Sequence, residues 1–326
     1  MSKSRRDFDR RAFLRATAGT TVGVGAALLV GAAPAMASQP CGAKPNALSI
    51  PRDRISIQLF SIRDKVRDLG FAVVFEELSR IGFTEVEFAG YTQSTAILGR
   101  QITVPEIRRL LDDNGLKAVG SHVGINALRT TLQQELDNAQ ILGMPHIGTA
   151  NAPSATNTVD AYKAAADEFN AWGAAARARR LKLYQHNHAG EFAFATDRPD
   201  VRLYDVFLRN TAPCNVYFEM DVYWAYVGQH RFPGFDPAAY VRKNPGRYPL
   251  FHMKDGASNP ENANGYDIVE FGAGDLPWQR FIHAIGPLGT HVGVWEQDNA
   301  PTTLPNPPGS FGAAERSFEA LSELLD

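Results

Sequence analysis

The chain has only two cysteines in 326 residues, Cys41 near the start and Cys214 in the body, so no disulfide framework is expected to hold the fold. It has no basic run: 33 Lys and Arg against 35 Asp and Glu leave a formal charge of −2. That excludes nucleic acid as the expected partner, because affinity for a phosphate backbone rests on clustered cations. It lacks a strongly apolar span as well. The long uncharged run from Ala16 to Ala33 is rich in Gly, Ala and Thr, whereas a stable membrane helix needs about 20 strongly apolar residues. No Ser/Gly linker or charge block divides the remainder, and no glycine-rich turn follows the first strand-like segment at Phe60. A dinucleotide-binding sheet would be expected to show one. These absences leave a single domain acting on a small molecule.

The first residues present an export pattern. DRRAFLR (9 to 15) precedes the uncharged run, and Ala35-Met36-Ala37 closes it, which predicts a signal peptide over 1–37 cleaved after Ala37. Arg10-Arg11 followed by Phe13-Leu14 matches the twin-arginine pattern, so a periplasmic or secreted protein is expected, exported already folded, with no membrane anchor after cleavage. That route suits a protein that acquires its cofactor in the cytoplasm. Cys41 lacks an acylation context, since Gln39-Pro40 precede it. Residues 38–53 then read as an N-terminal tail and 54–326 as the folded domain.

Within that domain short β-type runs alternate with helical patterns in eight rounds. The strand-like runs are ISIQLF (55 to 60), TEVEF (84 to 88), KAVGSH (117 to 122), HIGTA (146 to 150), LKLYQH (181 to 186), VYFEMD (216 to 221), LFHMK (250 to 254) and HVGVWE (291 to 296). Thr103 three residues before Glu106, with Pro105 in the first turn, and Asp236 before Pro237 signal helix starts; Gly82, Gly115 and Gly143 signal helix ends. Eight strand–helix rounds in this length predict an α/β fold, a (β/α)8 TIM barrel, rather than a doubly wound sheet.

In such a barrel the chemistry lies at the C-terminal ends of the strands. Gln58, Glu87, His122, His186 with His188, Glu219 with Asp221, His252 with Lys254, and Glu296 with Asp298 all fall there. Side chains two apart on a strand share a face, so four consecutive strands aim ionisable pairs at one mouth. Taken singly, Asp221 could cap a turn, His252 could be a hydrogen-bonded core imidazole, and Glu296 could pair with Lys254. Taken together, burying so many titratable groups at one end is costly without an ion or ligand to compensate. His, Asp, His and Glu from adjacent strands make a mixed nitrogen and oxygen site for one divalent ion, Mn²⁺ first, with Zn²⁺, Co²⁺ or Fe²⁺ as the other candidates; Ca²⁺ prefers oxygen alone.

From Ile55 to Asp326 the chain resembles the xylose isomerase-like sugar phosphate isomerase/epimerase family of metal-dependent barrels. The segments that carry the resemblance are IQLFSIRD (57 to 64), IGFTEVEFAG (81 to 90), HNHAGEF (186 to 192), EMDVYWA (219 to 225), NPGRYPLFHMKD (244 to 255), FGAGDLPW (271 to 278) and VWEQD (294 to 298). The resemblance implies metal ligands at His186, Asp221, His252 and Glu296, with Glu87, His122, His188 and Lys254 meeting the substrate. Many family epimerases carry glutamate at the strand-five ligand position, where this chain offers His186, with His188 two residues on as the alternative. The HNH form is similar to members that act as dehydratases or lyases on keto-sugars and inososes.

The expected activity is removal of a proton α to a carbonyl, isomerising or epimerising a carbohydrate, with a lyase or dehydratase as the second reading. Glu296 is expected to be ligand and base, His188 the opposing acid/base, Lys254 an oxyanion stabiliser, and Glu87 a further catalytic carboxylate. Gln58, His122, Glu191 and Trp224 are the expected substrate contacts, Trp224 as an apolar face for a sugar ring or else a packed loop residue. His186 and His188 lie about 6 to 7 Å apart along the strand, so the deeper is expected to ligate and the outer to act on the proton. A non-catalytic sugar-binding module would not need the His/Asp/His/Glu group. An endonuclease IV-like phosphodiesterase would want several ions and a basic surface.

Overall fold

The computed structural model describes residues 54–286 and 291–324. The signal peptide and the tail expected from the sequence lie outside these residues. Eight parallel strands wind into a barrel: β1 (Ile55–Gln58), β2 (Glu85–Phe88), β3 (Lys117–Ser121), β4 (His146–Thr149), β5 (Lys182–His186), β6 (Val216–Asp221), β7 (Leu250–Met253) and, after a short excursion, β10 (Val292–Trp295). Their hydrogen-bonded order is β3-β2-β1-β10-β7-β6-β5-β4. The seam between β3 and β4 is drawn together by a bridge from His122 to Gly148 and by the Val123 amide donating to the Gly148 carbonyl at 2.7 Å. The barrel is therefore nearly closed. Each expected strand is found within one or two residues of its predicted bounds.

The strands are buried on both faces, as expected where helices cover a parallel sheet. Outward residues such as Ile57, Val86, Phe218, Met220, Phe251 and Trp295 join the large core beneath the helices. A second, smaller core fills the barrel's interior: Val119, Tyr184, Leu250, Val292 and Val294. The flanking helices include α1 (Arg63–Ile81), α2 (Val104–Asp113), α3 (Ile125–Thr130), α4 (Leu132–Leu142), α5 (Val159–Ala178), α6 (Leu203–Asn210), α7 (Val222–Arg231), α8 (Pro237–Lys243), α9 (Trp278–Ile285) and α10 (Gly309–Leu324). The start signals act as read: the Thr103 amide donates to the Glu106 carboxylate at 2.9 Å, and the Ala238 amide to Asp236 at 3.1 Å. At Gly173 in α5 an added Cβ would lie 2.2 Å from the Asn215 carbonyl oxygen, so glycine there sets how closely α5 approaches the turn into β6.

Two features differ from expectation. After β7 the chain makes an antiparallel hairpin, β8 (Asp255–Ser258) with β9 (Tyr266–Val269), outside the barrel count. Its strands are short and partly polar, without an apolar alternation. The expectation of no disulfide is also corrected: Cys214 is disulfide-bonded, and Cys41, the chain's other cysteine, lies outside the described residues.

Candidate metal centre and active site

Period-two alternation builds the site directly on the inner core. On β7 the inward residues run Leu250, His252, Lys254; on β10 and beyond, Val292, Val294, Glu296; on β5, Tyr184, His186, His188; on β6, Tyr217, Glu219, Asp221. Aliphatic residues supply most of the floor, and histidines with carboxylates form the next level up. Four of the chain's eight histidines gather here, with His186 and His252 ring centroids 4.4 Å apart and His122 and His252 5.2 Å apart.

Two overlapping sets of donor atoms lie within 4.8 Å of one another: His186, Asp221, His252 and Glu296 toward the mouth, and His122, His186, Glu219 and His252 beneath. In the lower set Glu219 Oε2 lies 2.8 Å from His122 Nε2, 3.1 Å from His186 Nδ1 and 3.3 Å from His252 Nε2. Glu87 Oε2 lies 2.8 Å from His252 Nε2 and accepts from Gln58 Nε2 at 2.7 Å, while the Tyr184 hydroxyl donates to Glu87 Oε1. Tyr184 reaches across the barrel because glycines stand opposite it; an added Cβ at Gly148 would sit 2.4 Å from its ring. His186 Nδ1 and His252 Nε2 lie against the lower carboxylates, so His186 Nε2 and His252 Nδ1 face the upper set, the way carboxylates orient metal-binding imidazoles.

In the upper set Asp221 divides its work. Oδ1 accepts from the Trp224 amide at 2.8 Å and caps α7. The buried Oδ2 has no hydrogen-bond donor; it lies 3.8 Å from His186 Nε2, 3.9 Å from His252 Nδ1 and 3.3 Å from Lys254 Nζ. Glu296 Oε2 lies 2.9 Å from His252 Nδ1 and 3.0 Å from Lys254 Nζ. An orphaned buried carboxylate oxygen between two imidazole nitrogens, with a second carboxylate opposite, fits a divalent ion well. The chemistry of this donor set passes the test that a metal imposes.

The electrostatics follow from burial and pairing. Burial works against charge on Glu296, but Lys254 and His252 outweigh it and hold its pKa well below the ordinary carboxylate value. Burial likewise opposes charge on Glu219, yet three imidazoles keep it ionised. Burial raises Asp221 to about 6 despite Lys254 and His252. His252 is disfavoured as a cation by burial, but Glu219 and Glu296 raise it well above its ordinary value; an ion at the upper set would displace that proton. Lys254, opposed by burial, is raised by Asp221, Glu296 and Asp298 and stays charged. Burial and then Lys254 lower His188 to about 4, so it is neutral at physiological pH.

A cavity of about 310 Å³ opens over this cluster, lined among others by Phe60, His122, Asn151, His186, His188, Glu296 and Asp298. Of the residues expected to meet substrate, His122, His188 and Glu296 line it. Gln58 and Glu87 are fully buried beneath and belong to the network that positions the histidines. Glu191 does not line it: the carboxylate accepts from the His188 amide at 3.0 Å and holds the loop, and burial raises its pKa to about 7. Trp224 stands beside the site, 5.7 Å from the His188 ring and 5.6 Å from Lys254 Nζ. The HNH stretch thus serves three purposes: His186 joins the donor sets, Asn187 ties β5 to β6 by donating to the Asp221 carbonyl at 3.1 Å, and His188 faces the cavity. The reading from residues left Glu219 without a role and passed over Tyr184. Both lie two residues before an expected ligand on the same strand face, which was the available signal.

Fold and site define a TIM barrel with a mixed histidine and carboxylate centre at its C-terminal mouth. Residues 75–319 match the model of the xylose isomerase-like TIM barrel family, and the chain belongs to that family. Among solved structures it is similar to a sugar phosphate isomerase/epimerase from Parabacteroides distasonis, 22% identical over 85% of this chain and 96% of that one, with a TM-score of 0.63. It is also similar to the IolI protein with a binding zinc atom (12% identity, 84% and 99% covered, TM-score 0.63) and to the probable 3-DHS dehydratase AsbF of Bacillus anthracis (13%, 82% and 98%, 0.58). A comparison with curated proteins returns no match.

Proposed function

We propose that the protein is a metal-dependent carbohydrate enzyme that removes a proton α to a carbonyl, isomerising or epimerising its substrate. The observation that carries this reading is the upper donor set, His186, Asp221, His252 and Glu296, placed under a cavity that two proton acceptors share. Those four residues would hold one divalent ion, with Mn²⁺ first and Zn²⁺, Co²⁺ or Fe²⁺ as alternatives; a zinc atom in the similar IolI structure supports a metal at this mouth. Bound there, the ion would stabilise negative charge developing on a substrate oxygen. Glu296, kept ionised by its cationic neighbours, and His188, kept neutral by burial, are the acid/base pair. Lys254 brings positive charge to the same point, and His122 at the wall is placed to hydrogen-bond the substrate.

A lyase or dehydratase outcome shares the first proton abstraction. It is supported by His186 at a position where the sequence resemblance leads one to expect glutamate, and by the likeness to a probable dehydratase. Export by the twin-arginine route to the periplasm or beyond belongs to the same proposal, and the disulfide at Cys214 is in keeping with an oxidising compartment. The partner is then a small carbohydrate, with no nucleic acid and no lasting membrane anchor.

The experiment is proton exchange in deuterated water, with metal-loaded protein and a panel of free aldoses, ketoses and keto-sugars. Deuterium entering next to the carbonyl with conversion between isomers is the expected result. Deuterium entry with loss of an oxygen substituent selects the lyase. No exchange on any member of the panel would overturn the proposal. Separately, Arg10-Arg11→Lys-Lys is expected to leave folded protein in the cytoplasm, and unchanged export would exclude the twin-arginine route.

A further inference from the structure

A second cavity opens beside the first and is about twice its size, about 630 Å³ against 310 Å³. Ala89, directly after β2, lines both, so the two chambers are neighbours on either side of that residue. The walls of the larger one come from the loop after β2 and from the first two turns of α1. Those turns are set apart from the rest of the helix at Gly70, whose φ of 83° and ψ of 167° break it. The Phe71 amide, freed by the break, donates to the Gln93 side chain at 2.9 Å. An added Cβ at Gly70 would lie 2.9 Å from that same oxygen. Gln93 is buried and lines the chamber. The chamber is thus a built part of the fold, with the polar residues Thr92, Ser94, Thr95 and Gln101 among those that line it.

Two arginines line it, which at first suggests an anion. Both are already engaged. Arg67 pairs through Nε and Nη2 with the Asp68 carboxylate at 2.6 and 2.8 Å. Arg63 donates to the Phe60 carbonyl at 2.6 Å and the Asp298 carbonyl at 2.9 Å, with its guanidinium 4.1 Å from the Phe60 ring centroid. Arg63 therefore braces the threshold between the chambers rather than waiting for a phosphate. Phe60, 39% exposed, lines the smaller cavity with one ring face covered by that guanidinium and offers the other as an apolar surface. Hydroxyls, amides, compensated charges and an aromatic threshold match a neutral, hydroxyl-rich group better than an anion.

From this geometry we infer that the substrate is a linked carbohydrate: the reacting sugar sits over His188 and Glu296, and a second glycosyl unit occupies the chamber formed by Arg63, Thr92, Ser94 and Gln101. The inference rests on the proposed carbonyl chemistry and adds the substrate's size. Where the reacting unit is joined through its own anomeric oxygen, as in the linked probe below, that carbon is an acetal, and the carbonyl that acidifies the proton is then a ketone elsewhere on the ring.

The test compares three probes with metal-loaded full-length protein: a free 3-keto-hexose, the same unit joined through its anomeric oxygen to glucose, and a phosphorylated ketohexose. Deuterium entry next to the ketone is followed for each. The linked probe is expected to show kcat/KM at least about 10-fold above the free one. Thr92→Trp, which places an indole in the chamber and narrows it, is expected to lower the ratio of linked to free by about 10-fold or more. Gln101→Ala, on an exposed edge, is expected to lower it by a few fold and serves if the tryptophan variant does not fold. Equal kcat/KM for free and linked probes, or a ratio unmoved by both variants, would overturn the inference while leaving the carbonyl chemistry in place. Preference for the phosphorylated probe would overturn it in favour of an anion pocket. Exchange on none of the three would count against the underlying chemistry instead.

Discussion

The floor of the barrel and its mouth are built from the same strands, one side chain apart on the same face. At the floor, Leu250, Val292 and Val294 with Val119 and Tyr184 form a closed core. At the mouth, His252, Lys254 and Glu296 from two of those strands meet Asp221 and His186. The floor gains free energy from removing apolar surface from water. The mouth spends it, because charges there are held out of water and leave Asp221 Oδ2 and Glu219 Oε1 without hydrogen-bond donors. A fold that places a stabilising layer directly below a costly one can support buried charged groups. Breaking each layer should therefore give a different signature.

The largest effect is expected from His252→Ala. This imidazole touches Glu87, Glu219 and Glu296, so its loss leaves three buried carboxylates without their common partner. Breaking a buried ion pair costs about 3–5 kcal/mol, and activity should vanish with it. Urea unfolding of the metal-free variant checks this, and a change below about 1 kcal/mol would show that the mouth is not electrostatically strained. Next comes His188→Ala, which should keep the metal and the stability of the fold while turnover falls by about 10² to 10⁴, the scale of a lost general acid/base. Loss of metal in this variant with retention in His186→Ala would exchange the roles of the two histidines.

Leu250→Ala tests the floor. It should cost about 2–5 kcal/mol of stability through the cavity it leaves, and the folded variant should still retain one ion, measured by elemental analysis after gel filtration. Loss of the ion would mean that the layers are not separable. The smallest effect is a pH slope. Burial raises Glu191 from an ordinary 4.5 to about 7, so between those values the folded state holds a proton that the unfolded chain has released. Its contribution is fully present below about pH 4.5 and is lost as pH rises to about 7, amounting to roughly 3 kcal/mol. Glu191→Gln removes the slope, so the variant should gain on the wild type between pH 5 and pH 8 in paired denaturation curves. A constant difference would show that Glu191 is ionised throughout.

The same contrast explains what could be read from the residues. Strand runs such as VYFEMD and LFHMK combine apolar content with a polar end, and alternation alone placed Asp221, His252 and Lys254 on the inner face. Connections that depend on distance across the barrel were not readable. Tyr184 meets Glu87, 97 positions away, because Gly148 and Gly120 leave room for its ring, and no local pattern announces that pairing. The β8–β9 hairpin escaped because its strands pair only with each other. Glu191 reads as a substrate contact because it follows the two histidines in the HNHAGEF stretch. Instead the turn closes on itself, and the carboxylate is used by the His188 amide.

His186, Asp221, His252 and Glu296 are proposed to form one metal centre in the mouth layer. Elemental analysis of wild type and Asp221→Asn, both folded under metal-replete conditions and then dialysed, tests it most directly. Asn keeps an oxygen able to cap α7 and changes the ligand from anion to neutral amide, so the fold should survive. About one divalent ion per wild-type chain and loss of retention in the variant are expected. A wild type without metal, or a variant that retains the ion as well as wild type does, would contradict it.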